Sequence, residues 1–160
     1  MRYLAAICLI VLPELVAADD ELSKYMTDVP ICSSESCVGD AATLCMDTEA
    51  DGYSTVGMMF CTLAERTAWD DELNAAYKIA RDFAKGMDAA DMTHFPEYAV
   101  RATQVLEAQR AWITYRDAKC AMEYGLWGAG SMRQIAGASC LLEMTAERVF
   151  ELRDYVEVMR

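Results

Sequence analysis

The chain has 160 residues, 54% of them hydrophobic, enough for one packed domain and hardly for two. Its formal net charge of −12 argues against nucleic acid or an anionic membrane as partner. The same surplus suits a cationic protein partner and, more simply, solubility.

The chain opens with "MRYLAAICLIVLPELVAADD": Arg2 as a short basic start, an apolar run from Leu4 to Leu12, then small residues. This is a secretory signal pattern over residues 1–18, with Val16 and Ala18 suited to the −3 and −1 positions and cleavage before Asp19. The competing reading, a membrane anchor, fails on length, because the run is too short to span a bilayer. A lipoprotein fails on position, since Cys8 lies inside the run and follows the large Ile7. Arg2 and Glu14 leave together, so export keeps the charge unchanged. It also leaves six cysteines, an even number that suggests disulfides in a periplasmic or secreted protein without a membrane anchor. Zinc is the rival use of these thiols. The spacings Cys32–Cys37 and Cys37–Cys45 are not CxxC pairs and His94 is the only histidine, so no metal and no cofactor is expected.

Residues 19–54 form a second region. "PICSSESCVGDAATLCMDTEADGYST" is rich in Ser, Asp, Gly and Thr and reads as an irregular Cys-rich arm, with at most a short turn at "DAATLCM". Residues 55–160 read as helices. Leu73, Ala76, Tyr77, Ala80, Phe83, Ala84 and Met87 make one apolar stripe, with Cys61, Leu63 and Trp69 extending it backward. Gly86 and "DAADMTH" are expected to break it, and Pro96 to open the next helix. That helix contains "LEAQRAWITYRDAKC". Val105, Ala108, Trp112 and Tyr115 share one face, and Leu106, Ile113 and Cys120 an adjoining one. The glycines of "YGLWGAGS" end it, and "SMRQ" offers a capping box from Ser131 to Gln134. The last helix carries Leu141, Met144, Leu152, Tyr155 and Met159, with Arg148 inside the stripe. No segment alternates at period two for long. The fold class is all-α: a small disulfide-stapled bundle of three to four helices behind an irregular N-terminal arm.

Catalytic constellations are absent from the pattern. His94 is alone in a polar connector; Asp70, Asp71 and Glu72 point in different directions on a helix; Glu143 and Glu147 read as a solvated face; no glycine loop follows a strand. No catalytic residue is assigned, and the chain is not expected to be an enzyme. Trp127 and Arg133, on the connector, are the residue types favoured as interface anchors, against the blander reading of a Trp folded back over the bundle. Arg110 and Asp117 stand two turns apart. Each is expected to meet charges on neighbouring helices, such as Arg148 or Glu72, in a polar network that sets helix register.

Four segments occur in order: "WDDELNAAY" at 69–77, "AQRAWITYRDAKC" at 108–120, "GSM" at 130–132 and "CLLEMTAERVFEL" at 140–152. Together with "GMMFC" they resemble the LprI-type lysozyme-inhibitor family over roughly residues 55 to 155, the AQRAW…YRDA…C run being the specific part. The resemblance implies an all-α exported protein that binds a cationic enzyme, lysozyme or a related wall-cleaving enzyme, and inhibits it. It also implies that Cys61 is the family's first-helix cysteine and Cys120 with Cys140 its later pair. The founding type is a lipoprotein, whereas this chain has no lipobox, and the cysteines at 32 to 45 go beyond the common pattern. Closing Cys120 to Cys140 spans about twenty residues and stabilises by about 3 kcal/mol in the chain-entropy account. The other four cysteines allow three connectivities, of which Cys45–Cys61, tying arm to helix, is favoured and leaves Cys32–Cys37. The alternative function is a non-enzymatic structural or adaptor module of the bacterial envelope.

Overall fold

A computed structural model describes Lys24, Tyr25 and residues 34–158. The expected signal segment, Met159 and Cys32 lie outside the described residues, and with Cys32 the expected Cys32–Cys37 pairing. Among the described residues there are four α-helices, α1 (Asp40–Thr48), α2 (Thr55–Asp91), α3 (Arg101–Leu126) and α4 (Met132–Val158), and no strand. No helix among them is long and apolar enough to cross a membrane.

The longest helix, α2, is the spine. Ser54 caps its start, its side chain accepting from the Gly57 N–H at 2.9 Å. Leu73, Ala76, Ala80 and Ala84 are buried along the expected stripe, with Tyr77 and Phe83 packed at its edge. The expected break at Gly86 does not occur, and α2 continues to Asp91. One interior glycine costs only about 1 kcal/mol, and the alanines of "DAAD" are strong helix formers. Beyond Asp91 the chain passes into turns, and Pro96 keeps the residue ahead of it, Phe95, out of helical geometry at φ −140° and ψ 55°. Pro96–Tyr98 is only a 3-10 turn, and α3 starts later than the proline suggested, at Arg101.

Two helices on either side of α2 lack a local side-chain cap, and α2 supplies both from a distance. At α1 the capping residue is Gly39, held at φ 98°, where only glycine is free of strain. The buried carboxylate of Glu65 accepts from the N–H groups of Gly39 and Ala42, each at 2.8 Å, and from the Trp69 indole at 3.1 Å. At α3 the capping residue is Val100. Asp88 accepts from the N–H groups of Arg101 at 3.0 Å and Ala102 at 2.9 Å. These bonds, that from Ala102 above all, hold the Asp88 carboxyl below the ordinary carboxylate range. The Arg101 guanidinium adds its charge, reaching Asp88 at 3.4 Å and Asp91 at 2.8 Å.

The short connectors make an up–down–up bundle, in which α2 and α4 run parallel and α3 runs against both. Trp69, Leu73, Ala76 and Ala80 of α2 pack against Leu142, Ala146, Val149, Leu152 and Val156 of α4. The small residues on α2 let α4 approach closely. Leu142, Thr145, Val149, Leu152 and Val156 form the buried seam of α4, spaced alternately by three and four. The expected α4 stripe is therefore shifted: Met144 and Leu152 are buried, but Leu141, Arg148 and Tyr155 are only partly covered. That face turns from α2 toward α3, which covers it less.

Two disulfides close as expected, Cys45–Cys61 and Cys120–Cys140, with Cα separations of 5.6 and 5.4 Å. Cys45–Cys61 ties α1 to the first turns of α2, and the arm beyond it is more ordered than a turn, since "DAATLCM" lies in a nine-residue helix. Gly57 permits this docking, because a Cβ there would sit 2.1 Å from the Asp51 carbonyl oxygen.

Candidate functional site

The face that α3 turns inward consists of Val105, Gln109, Trp112, Arg116 and Cys120, of which only Gln109 and Cys120 are buried. Trp112 is half-buried, with the Arg116 guanidinium 5.1 Å and the Arg148 guanidinium 5.7 Å from its ring centre. Arg148 donates from Nε to the Gln109 amide oxygen at 3.0 Å and from Nη1 to Glu151 at 2.7 Å. Arg116 donates to Asp117 at 2.8 Å and lies 4.0 Å from Asp70. Of the three residues expected to form a polar network, Arg148 thus meets Gln109, Asp117 meets Arg116, and Arg110 is exposed with no ion pair among the described residues. The structure does not bring Arg110, Asp117 and Arg148 together. Tyr115 and Ala108, expected on the packed face with Trp112, are exposed.

The disulfide end of the bundle carries the connector from α3 to α4. Gly128 takes a left-handed conformation at φ 52°, and the Gly130 N–H donates to the Trp127 carbonyl at 2.8 Å. Arg133 folds back on this turn, donating from Nη1 to the Gly128 carbonyl at 3.2 Å and lying 5.5 Å over the Tyr124 ring. Trp127 does not fold into the core: it is 47% exposed, next to Leu126 at 78%. Ser131 stands directly before α4, and its carbonyl rather than its side chain accepts from the Gln134 N–H. Tyr124 joins this tip to a cleft of about 480 Å³ where three helices meet. Met59 and Leu63 of α2, Ala121 of α3, and Gly137 and Leu141 of α4 make its walls, with Asp117 and Gln134 as its polar border. The walls are almost wholly apolar and offer no acid–base pair; the arrangement can bind by shape and burial.

The opposite end holds a second exposed cluster, unassigned from the sequence. Met92, Phe95 and Tyr98 project around the Pro96 turn, with Phe95 beside His94 and Tyr98. The signal was present in Phe95 and Tyr98 around Pro96, but Phe95 was read as part of a connector and Tyr98 as part of the next helix. Of the carboxylates weighed for sugar chemistry, two meet arginines: Asp70 meets Arg66 at 3.3 Å, and Glu72 meets Arg153. Among the described residues no three His, Cys, Asp or Glu side chains converge as metal ligands.

Three comparisons with known proteins bear on this arrangement. The family model described as "Lysozyme inhibitor LprI" matches residues 45–152, a span that includes both described disulfides and reaches from α1 into α4. An uncharacterized protein of Rhizobium meliloti (strain 1021) is 31% identical over 104 residues, covering 65% of this chain and 75% of that one. No solved structure matches the chain.

Proposed function

The chain belongs to the lysozyme inhibitor LprI family, and from that premise we propose that it is an exported protein that binds and inhibits lysozyme or a related wall-cleaving enzyme, itself performing no catalysis. The family match carries this reading. Three further features support it: the signal pattern at the N-terminus, disulfides suited to an oxidising compartment, and a net charge of −12 that would speed encounter with a basic enzyme. The contact is assigned to the disulfide end. Trp127 supplies apolar surface that excludes water when covered. Arg133 keeps the connector in shape and retains N–H donors for the carboxylates of a glycan-cutting cleft.

A turbidity assay of cell-wall lysis with the purified oxidised protein tests this. Inhibition should be strong at low salt and weaken as salt rises, because the attraction is long-range and screened. The double change Trp127→Ala with Arg133→Glu should weaken inhibition by at least about 2 kcal/mol, roughly thirty-fold. Inhibition left intact by the pair would remove the tip from the contact. No inhibition of any muramidase at either salt would favour the envelope adaptor instead.

A further inference from the structure

The outward side of α3 carries one apolar, uncovered line. Ala111, Tyr115, Ala118, Met122 and Leu126 follow one another at spacings of four, three, four and four, so they form one line along the helix. All are exposed, Tyr115 at 59% and Met122 at 65%. An isolated exposed methionine or tyrosine calls for no explanation, but a continuous line of this kind does.

We propose that a second copy of this chain covers this line, the two α3 helices packing antiparallel about a two-fold axis. Three observations select this occupant. From Ala111 to Met122 the order of sizes is self-complementary only in that direction. With the axis between residues 116 and 117, Tyr115 of each copy falls opposite Ala118 of the other, and Met122 opposite Ala111. A parallel pair would set Tyr115 against Tyr115 and alanine against alanine, leaving clash and void in turn. The charge distribution also favours this helix. The whole chain carries −12, but α3 holds four basic residues, Arg101, Arg110, Arg116 and Lys119, against three acidic ones, Glu107, Asp117 and Glu123. Two copies meeting through α3 therefore bring together their least acidic surfaces, where repulsion is smallest. The area is adequate as well. From Ala111 to Leu126 the line is about 22 Å long, and covering its three large side chains and alanines on both copies removes on the order of 1,200 Å² from water, at the lower edge of specific interfaces.

Sedimentation equilibrium of the purified oxidised chain tests the proposal. Between about 1 and 100 µM its mass should double, the behaviour of a micromolar dimer. Ala118→Glu places a charge at the centre of the seam and Ala111→Glu one against the partner copy's Met122, and each should weaken association at least about ten-fold, with helix content and disulfides unchanged. Ala75→Glu, on the exposed side of α2, should leave it as it was. A chain that stays monomeric throughout, or a dimer indifferent to both α3 variants, overturns the proposal. A monomeric chain that loses lysozyme binding on Ala118→Glu also overturns it, and gives the face to the enzyme. Because mass is read without any lysozyme present, failure here leaves the inhibitor reading untouched.

Discussion

Glu65 and Asp88 do for α1 and α3 what those helices' own first residues cannot. The first N–H groups of a helix have no partner within it, and they carry the positive end of its dipole. A carboxylate placed there satisfies both demands at once. Glu65 is the more demanding case, because it is buried and three donors depend on it. Glu65→Ala should cost about 3 kcal/mol, because Gly39, Ala42 and the Trp69 indole would be left unpaired away from water. Glu65→Gln, which keeps a side-chain oxygen, should cost about half as much. Urea unfolding monitored by Trp fluorescence measures both, and a loss below about 1 kcal/mol for the alanine variant would mean that water replaces the carboxylate. Neither cap was legible in the sequence. In "LAERTAW" Glu65 looks like any solvated helix residue, and its nearest backbone donor along the chain is 23 positions away. Local capping signals are read within three or four residues, so a cap delivered by another helix leaves no local trace.

The α3 helix shows how far periodicity alone carries and where it stops. The α2 stripe was legible because its inward face is apolar from Trp69 to Ala84, so spacing and burial coincide there. On α3 the inward face is Gln109, Trp112 and Arg116, polar atoms around one aromatic ring, while the purer apolar line points out to solvent. Reading apolar as buried therefore placed Tyr115 inward with Trp112 and chose Arg110 and Asp117 over Gln109 and Arg116. Each of those polar choices is off by one residue, which is a rotation of about 100° on a helix. The two aromatics consequently separate in experiment. Trp112→Ala should destabilise the fold by about 2 kcal/mol, less than a fully buried Trp would, since its ring is flanked by guanidinium groups rather than enclosed. Tyr115→Ala should change stability by no more than about 0.5 kcal/mol at concentrations where the chain is monomeric. Equal losses from the two substitutions, in thermal or urea unfolding of dilute protein, would mean that α3 sits rotated from the orientation described.

At the scale of the whole molecule the bundle's two ends are held by different chemistry. The end with the candidate contact is covalent: Cys45–Cys61 joins α1 to α2 there, and Cys120–Cys140 joins α3 to α4. This end was legible through the resemblance, which implies the pair Cys120–Cys140, and through Cys45–Cys61, favoured among three connectivities because it ties the arm to a helix. The far end is held by charge, with Asp88 and Asp91 on α2 gripping Arg101 and the start of α3. Acid should therefore open the far end first. The Asp88 carboxyl lies below its ordinary value because the Ala102 N–H, then the Arg101 N–H and guanidinium, favour its charged form. A depressed carboxylate contributes fully to stability above its unfolded value, about 4, and the contribution fades as pH falls through the lower folded value. Stability from this group is thus constant from neutral pH down to about 5 and declines below about 4. Hydrogen exchange, corrected for the intrinsic pH dependence, should show the first turn of α3 losing protection in that acid range while α4 beside Cys140 keeps it. Asp88→Asn should make the same turn exchange quickly already at neutral pH and remove its acid response. Reduction should do the reverse, loosening the α3–α4 connector and α1 while the Asp88 cap holds. If acid and reductant loosened the two ends alike, the bundle would be one cooperative unit, and the division between a covalent end and an electrostatic one would have no consequence for its motion.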